Sequence, residues 1–153
     1  ANAPILSFES ARMWQFRGNP RILSIGRLSS EKGHRFLIEA VAQFNRFTRE
    51  GLPPVDLHLL GDGICKSQLV DQAHSLGQQS NVFYHGHVDN PFPYLKQCEL
   101  FVLPSLYEGL PNVVLEAMAC RAPILATDTV SGAGELLREH PLGTLAVPGD
   151  AAA

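Results

Sequence analysis

Residues 100–120 read Leu-Phe-Val-Leu-Pro-Ser-Leu-Tyr-Glu-Gly-Leu-Pro-Asn-Val-Val-Leu-Glu-Ala-Met-Ala-Cys, and this stretch decides the fold. The apolar run 100–103 has the length and composition of a strand buried on both faces, and it ends at Pro104 and Ser105. After a polar loop, Pro111 suits the first turn of a helix, where an N–H is dispensable, and the apolar residues that follow give that helix a face for packing on a sheet. The pattern predicts strand, loop and helix in that order.

The same alternation continues on both sides of this stretch. Further strands are predicted at 21–25, 55–60, 81–85, 122–127 and 144–147, and helices at about 36–44, 64–76, 92–97 and 135–140. Ser29 or Ser30 is predicted to cap the first of these helices. Residues 1–20 are predicted to form an incoming connection with some helix around 8–16, and residues 21–153 a single domain. The fold class is therefore α/β, a Rossmann-like open parallel sheet with helices on both faces and a crevice at the carboxyl ends of the strands.

Composition limits the class of partner. The chain has 153 residues, 45% of them hydrophobic, which suffices for one domain with one substantial core. A formal net charge of -3 and the absence of a basic run argue against a nucleic-acid binder. Three widely spaced cysteines, Cys65, Cys98 and Cys120, fit buried thiols in a reducing compartment better than a disulfide framework.

The sequence also bears on location. No apolar stretch approaches the roughly 18–20 residues that span a bilayer. The first residues lack the charged, apolar and small-residue regions of a signal peptide. The expectation is a cytoplasmic protein whose membrane contact, if any, is made outside this domain.

Two pairs of charged residues flank the predicted crevice. Glu108 follows the strand at 100–103 and Glu116 lies one to two turns into the next helix, so both can face the crevice and bind sugar hydroxyls. Arg27 and Lys32 flank the turn after the first strand, where a diphosphate could meet both cations and free N–H groups. For each pair the alternative is an ordinary set of solvated surface charges.

Other motifs are weaker. The Gly61-x-Gly63 turn is more often a tight strand-to-helix connection than a phosphate cradle. The His85-x-His87 pair permits a metal hypothesis, since alternate residues of a strand share a face, but no third ligand lies nearby in sequence. No metal site is therefore predicted.

Two segments carry a resemblance to a known family. Residues 104–120 resemble the Glu-x7-Glu signature of retaining glycosyltransferases with the GT-B fold, of the large family numbered four, also called glycosyl transferases group 1. Residues 26–33, Gly-Arg-Leu-Ser-Ser-Glu-Lys-Gly, are similar to a second element of the same family, in the same order along the chain. The resemblance covers about residues 21–150 and implies the C-terminal, donor-binding half of such an enzyme, without its N-terminal acceptor domain.

The resemblance also implies roles for individual residues. Catalytic roles fall on Glu108 beside the transferred sugar, and on Arg27 and Lys32, which would grip the leaving diphosphate. Donor binding is further implied for a set of loop and helix residues, with Glu116 on the ribose, Gly61 only in the wall of the crevice, and the others near the base, sugar or phosphate: Gly61, Gly86, His87, Val88, Gly109, Leu110, Pro111, Asn112, Val113 and Glu116.

The implied activity is metal-independent, retaining transfer of a hexosyl group from a UDP- or GDP-sugar, with no cofactor. The acceptor would be a glycan or lipid-linked sugar, and the variant of residues 108–112 resembles enzymes of bacterial cell-surface polysaccharide assembly at the cytoplasmic face of the membrane. The domain alone is expected to be inactive. Alternatives are a nucleotide-sugar epimerase or hydrolase of the same fold, and a binding module without turnover.

Overall fold

The computed structural model describes residues 18–47, 51–109, 111–129, 132–139 and 143–152, and these contain six strands, five α-helices and one short 3-10 helix. The strands are β1 (Arg21–Ile25), β2 (Asp56–Leu60), β3 (Val82–Gly86), β4 (Leu100–Leu103), β5 (Ile124–Thr127) and β6 (Gly143–Ala146). The helices are α1 (His34–Phe47), α2 (Lys66–Ser75), α3 (Phe92–Leu95), α4 (Asn112–Ala119) and α5 (Ala133–Glu139). The helix predicted around 8–16 lies outside the described residues.

All six strands lie in one parallel sheet, in the order β3-β2-β1-β4-β5-β6. This is the strand order of a doubly wound Rossmann-type sheet. Every residue of β2 is buried, as expected for a parallel strand that is covered on both faces. The predicted fold class is confirmed.

The core lies on both sides of the sheet. Phe101 and Leu103 of β4 belong to one apolar cluster, together with Val114 of α4. Val102, between them, belongs to a second cluster, together with Ile38 of α1. Because successive side chains of a strand point to opposite faces, the two clusters cover the two faces of the sheet.

The turn after β1 differs from the prediction. A short 3-10 helix, Ser30–Lys32, comes first, Gly33 then adopts a left-handed conformation with φ of 67°, and α1 begins only at His34. The hydroxyl of Ser29 donates to the carboxylate of Glu31 and caps no backbone N–H. The predicted capping of α1 by Ser29 or Ser30 is wrong, because this extra turn separates both serines from the helix.

The predicted absence of a disulfide framework among the cysteines is confirmed, but the predicted burial of the thiols is correct for only one of the three. All three cysteines are free thiols, of which Cys98 is buried while Cys65 and Cys120 are partly exposed. Within the described ranges, no helix is both long and apolar enough to cross a bilayer.

Candidate functional site

The site lies where the direction of chain winding reverses. Strands β1 and β4 are neighbours, with Ile22 opposite Leu100 and Leu23 opposite Phe101. The chain leaves β1 toward β2 on one side and leaves β4 toward β5 on the other. The loops that follow the two strands therefore face each other across a crevice, which is the usual ligand position in such sheets.

Lys32 from the first loop and Glu108 from the second meet in this crevice. The Lys32 Nζ atom lies 2.7 Å from Oε2 and 2.9 Å from Oε1 of Glu108. The same Oε2 atom accepts a hydrogen bond of 2.8 Å from the Ser105 hydroxyl. Two residues selected from separate sequence motifs are thus in direct contact.

Backbone contacts hold the two loops together. The amide N–H of Leu106 donates to the carbonyl of Glu31 at 2.8 Å. A Cβ at Gly33 would lie 1.9 Å from the carbonyl oxygen of Pro104, so only glycine allows this approach. The two loops that carry Lys32 and Glu108 are therefore in direct backbone contact.

Arg27 stands between two cavities at this edge of the sheet. No hydrogen bond or ion pair joins its exposed guanidinium to another residue in the described part of the chain. One cavity, of about 520 Å³, is lined by Ile25, Gly26, Arg27, Glu31, Lys32, Leu103, Glu108, Pro111, Asn112 and Val113. The other, of about 360 Å³, is lined by Ile25, Gly26, Arg27, Leu60, Gly61, Asp62, His87 and Val88. Both volumes lie within the range of about 300–1,000 Å³ that is usual for ligand sites.

The turns beside the second cavity are tightly packed. Gly61 has φ of 137°, and a Cβ there would lie 2.0 Å from the carbonyl oxygen of Gly26. Its amide N–H donates to the carbonyl of Gly86 at 2.7 Å. Gly86 therefore supports the wall that Gly61, His87 and Val88 form, and is not itself part of the lining.

The start of α4 lies beside the first cavity. Pro111 precedes the helix with extended backbone, and Asn112 and Val113 line the cavity from the first turn. Glu116 follows Asn112 by four residues, so the two share one face of the helix. Glu116 is nevertheless half-buried and lies outside the lining of both cavities.

The loop before α4 is described only in part. Leu110 lies outside the described residues. Gly109 packs against Gly132, where an added Cβ would lie 1.8 Å from the Gly109 carbonyl oxygen.

Sequence reasoning gave no role to Ser105, Glu31 or Asp62. Glu31 and Asp62 line the cavities, and Ser105 contacts Glu108. The sequence does place the Ser105 hydroxyl directly after the strand predicted at 100–103, beside the crevice, and this position could have identified it. The hydrogen bond from Ser29 holds the pKa of Glu31 below its ordinary value, so this carboxylate adds negative charge beside Lys32.

The two histidines of the His85-x-His87 pair diverge. His85 Nε2 lies 2.9 Å from His58 Nδ1, whereas His87 Nε2 lies 3.1 Å from Asp89 Oδ1 at the surface. Gly86 between them has φ of 71°, so the strand does not continue with regular alternation. Across the described ranges, no three His, Cys, Asp or Glu side chains are grouped so as to hold a metal ion.

Curated relatives are glycosyltransferases. An uncharacterized glycosyltransferase of Methanocaldococcus jannaschii is 41% identical over 122 residues, which make up 80% of this chain and 29% of the relative. The N-acetylgalactosamine-N,N'-diacetylbacillosaminyl-diphospho-undecaprenol 4-alpha-N-acetylgalactosaminyltransferase of Campylobacter jejuni is 36% identical over 124 residues, 81% of this chain and 32% of that protein. The chain therefore spans 29% and 32% of the lengths of these two relatives.

Solved structures of glycosyltransferases share the fold of this chain, and a sequence family matches it. Anabaena Alr3699/HepE in complex with UDP-glucose superposes with a TM-score of 0.77 at 27% identity, over 98% of this chain and 41% of that one. The lipopolysaccharide glycosyltransferase WaaG, at 21% identity and a TM-score of 0.78, covers 97% of this chain and 39% of its own length and shares the fold. The sequence matches the family described as Glycosyl transferases group 1 over residues 19–153. The chain that forms this six-stranded sheet and its charged crevice thus belongs to the glycosyl transferases group 1 family, as a domain of a GT-B glycosyltransferase.

Proposed function

We propose that this chain is the donor-binding domain of a retaining, metal-independent glycosyltransferase that uses a UDP- or GDP-linked hexose. The observation that carries the proposal is the meeting of Lys32 and Glu108 at the switch point, with Arg27 between the two cavities. A diphosphate beside Arg27 and Lys32 leaves one cavity for the sugar and one for the nucleoside. The acceptor site would lie on an N-terminal domain, with residues 21–153 forming the donor side.

The chemistry follows from charge. Breaking the bond between the sugar and the diphosphate leaves positive charge on the sugar and negative charge on the departing oxygen. Arg27 and Lys32 would stabilise the departing oxygen more strongly in the transition state than in the ground state, which raises the rate. Glu108 would lie beside the sugar, and Glu116, one turn into α4, would bind the ribose and so support affinity.

Neighbouring residues are assigned by position. His87 and Val88 line the cavity on the β2 and β3 side of Arg27, where the base would lie. The loop before α4 and the first turn of the helix would contact sugar and phosphate, with backbone N–H groups from Gly109, Leu110, Asn112 and Val113. Pro111 has no N–H and would contribute only its position beside the sugar.

UDP is the first donor nucleotide to test. The Anabaena neighbour, which is 27% identical, was solved with UDP and with UDP-glucose. The Campylobacter relative is named for transfer to a diphospho-undecaprenol-linked sugar, which supports a lipid-linked or glycan acceptor. We propose in addition that the full-length protein works at the cytoplasmic face of the membrane. Transfer in cell-surface polysaccharide synthesis is the corresponding proposal for the pathway.

Calorimetric titration with UDP, GDP and ADP tests the proposal. One nucleotide is expected to bind, and the variant with Arg27→Ala and Lys32→Ala is expected to lose that binding. The matched control is the variant with Arg46→Ala and Lys96→Ala, which removes the same charge from exposed positions that line neither cavity. Binding that survives the first double substitution would show that the diphosphate lies elsewhere.

Absence of binding to the isolated chain calls for the same titration on the full-length protein. If the full-length protein also binds none of the three nucleotides, the proposal is wrong. Release of free sugar and nucleoside diphosphate from a sugar nucleotide by the full-length protein would separate an enzyme from a binding module.

A further inference from the structure

We propose that Ser105 is a positioning residue for Glu108, holding its carboxylate beside the donor sugar when Lys32 engages the diphosphate. This inference rests on the proposed function and extends it to a buried residue that lines neither cavity. It starts from the hydrogen bond between the Ser105 hydroxyl and Glu108 Oε2, which is 2.8 Å long.

Two of the contacts that the Glu108 carboxylate makes come from different directions. Lys32 reaches it from the loop after β1, and Ser105 reaches it from three residues earlier in its own loop. Hydrogen bonds to an ionised carboxylate are shorter and stronger than those between neutral groups. Both contacts therefore restrict the orientation of the carboxylate, but they differ in what a bound ligand does to them.

The Lys32 contact is the one that a ligand changes. Its ammonium is a point charge on a flexible four-carbon stem, and a diphosphate in the crevice competes for it. Ser105 has a single side-chain torsion between its backbone and its hydroxyl. The Ser105 contact thus remains when the ammonium is shared with phosphate.

Ser105 is itself fixed by the sheet. Its exposed fraction is 1%, so water does not compete for the hydroxyl. The hydroxyl of Thr127, at the end of β5, donates to the carbonyl oxygen of Ser105 and lies 3.3 Å from the carbonyl oxygen of Leu103. This anchor belongs to the neighbouring strand and does not depend on a ligand.

The consequence is a separation of sugar binding from nucleotide binding. Without the Ser105 hydroxyl, Glu108 loses a restraint that a bound diphosphate does not disturb, and its carboxylate is held less firmly beside the sugar. Loss of the hydroxyl should therefore weaken binding of a sugar nucleotide and leave binding of the nucleoside diphosphate unchanged. A purely structural role for Ser105 would weaken both.

The test compares Ser105→Ala with Ser24→Ala in the full-length protein. Ser24, in β1, is fully buried, and its hydroxyl has no hydrogen-bond partner within the described residues, so its removal controls for the loss of a buried hydroxyl. Each variant is titrated with UDP, GDP and their sugar nucleotides UDP-glucose, UDP-galactose, UDP-N-acetylglucosamine and GDP-mannose, and a melting curve confirms folding. The sugar nucleotide that binds the unsubstituted protein most tightly is then compared with its own diphosphate.

The expected result is a dissociation constant for the sugar nucleotide that rises about tenfold in Ser105→Ala, as for one lost hydrogen bond to a charged group. The dissociation constant for the diphosphate stays the same, and Ser24→Ala changes neither. Equal weakening of both ligands, or no change in either, overturns the positioning role while leaving the donor site in place. If the unsubstituted protein binds no sugar nucleotide, the proposed function fails, and this inference fails with it.

Discussion

The ammonium of Lys32 lies within hydrogen-bond distance of both carboxylate oxygens of Glu108, across the point where the sheet reverses its winding. The two side chains are only 23% and 13% exposed, so salt screens their attraction less than that of a surface pair. A diphosphate that enters the crevice must share this ammonium with the carboxylate. Two anions therefore compete for one cation.

Replacing Glu108 with glutamine should tighten binding of the free nucleoside diphosphate. The substitution keeps the shape of the side chain and removes the competing charge, so Lys32 becomes fully available to phosphate. We expect a gain of about fivefold, from roughly 1 kcal/mol of relieved repulsion at partly exposed positions. Calorimetric titration with UDP and GDP measures it.

The matched control is Glu99→Gln, which removes the same charge at the opposite end of the sheet. Glu99 pairs with Arg21 at 3.0 Å, at the junction that leads into β4. Its replacement should therefore leave nucleotide affinity unchanged. Weaker nucleotide binding by Glu108→Gln alone would mean that this carboxylate supports the diphosphate and does not compete with it.

Replacing Glu116 with alanine should weaken nucleotide binding and have less effect on the choice of sugar. Glu116 lies one turn after Asn112 on the same face of α4, and in the proposed function its carboxylate binds the ribose. Loss of one charged hydrogen bond predicts a decrease in affinity of about tenfold. Asp71→Ala, at an exposed position of α2, removes the same charge as a control. Equal nucleotide affinity in Glu116→Ala and the unsubstituted protein would exclude the ribose assignment.

The sheet and the elements around the crevice could be predicted from sequence because their signals are local. A buried run such as 100–103 with a polar loop and an apolar helix face identifies one strand-loop-helix unit, and repetition of such units implies a parallel sheet. The charged residues beside the turns followed from the same units. Their placement at one edge needs only the rule that the carboxyl ends of parallel strands lie together.

The contacts between units could not be read in this way. Lys32 reaches Glu108 because β1 and β4 are neighbours and because Gly33 approaches Pro104 closely. Both contacts join residues that are far apart in sequence. The capping prediction for Ser29 failed for a related reason, since the 3-10 turn after it follows the path of the facing loop, where Leu106 binds the carbonyl of Glu31. Tertiary contacts here override the local preference of serine for a helix start.

Acidification should destabilise the fold through His34. This side chain is 3% exposed, and its burial, together with the charge of Lys32, lowers its pKa to about 4. The unfolded chain binds a proton near pH 6.5, so between pH 6.5 and 4 it holds more protons than the native protein, and the free energy of unfolding falls as pH falls. The contribution of His34 between pH 7.5 and 5.5 is about 1 kcal/mol.

Urea denaturation at several pH values checks this dependence. His34→Gln removes the titrating group, so the free energy of unfolding of this variant should vary less with pH than that of the unsubstituted protein over the same interval. His58, whose pKa burial and His85 also lower to about 4, remains in the variant and retains a slope of the same sign. An unchanged slope in His34→Gln would show that the native protein protonates His34 as readily as the unfolded chain does.

Replacing Gly33 with alanine should disrupt both the fold and the donor site. Gly33 has φ of 67°, and the new Cβ would lie 1.9 Å from the Pro104 carbonyl oxygen, a backbone atom that cannot turn aside as a side chain does. Gly77→Ala is the matched control, since Gly77 has φ of 71° with no atom within 4 Å of the added Cβ. The control should cost about 1 kcal/mol for its left-handed backbone alone, and Gly33→Ala about 2 kcal/mol more because the loop after β4 must move. That movement separates Lys32 from Glu108, so Gly33→Ala should also lose affinity for the sugar nucleotide, whereas Gly77→Ala should retain it. Equal free energies of unfolding in the two variants would show that the loops after β1 and β4 are not in firm contact.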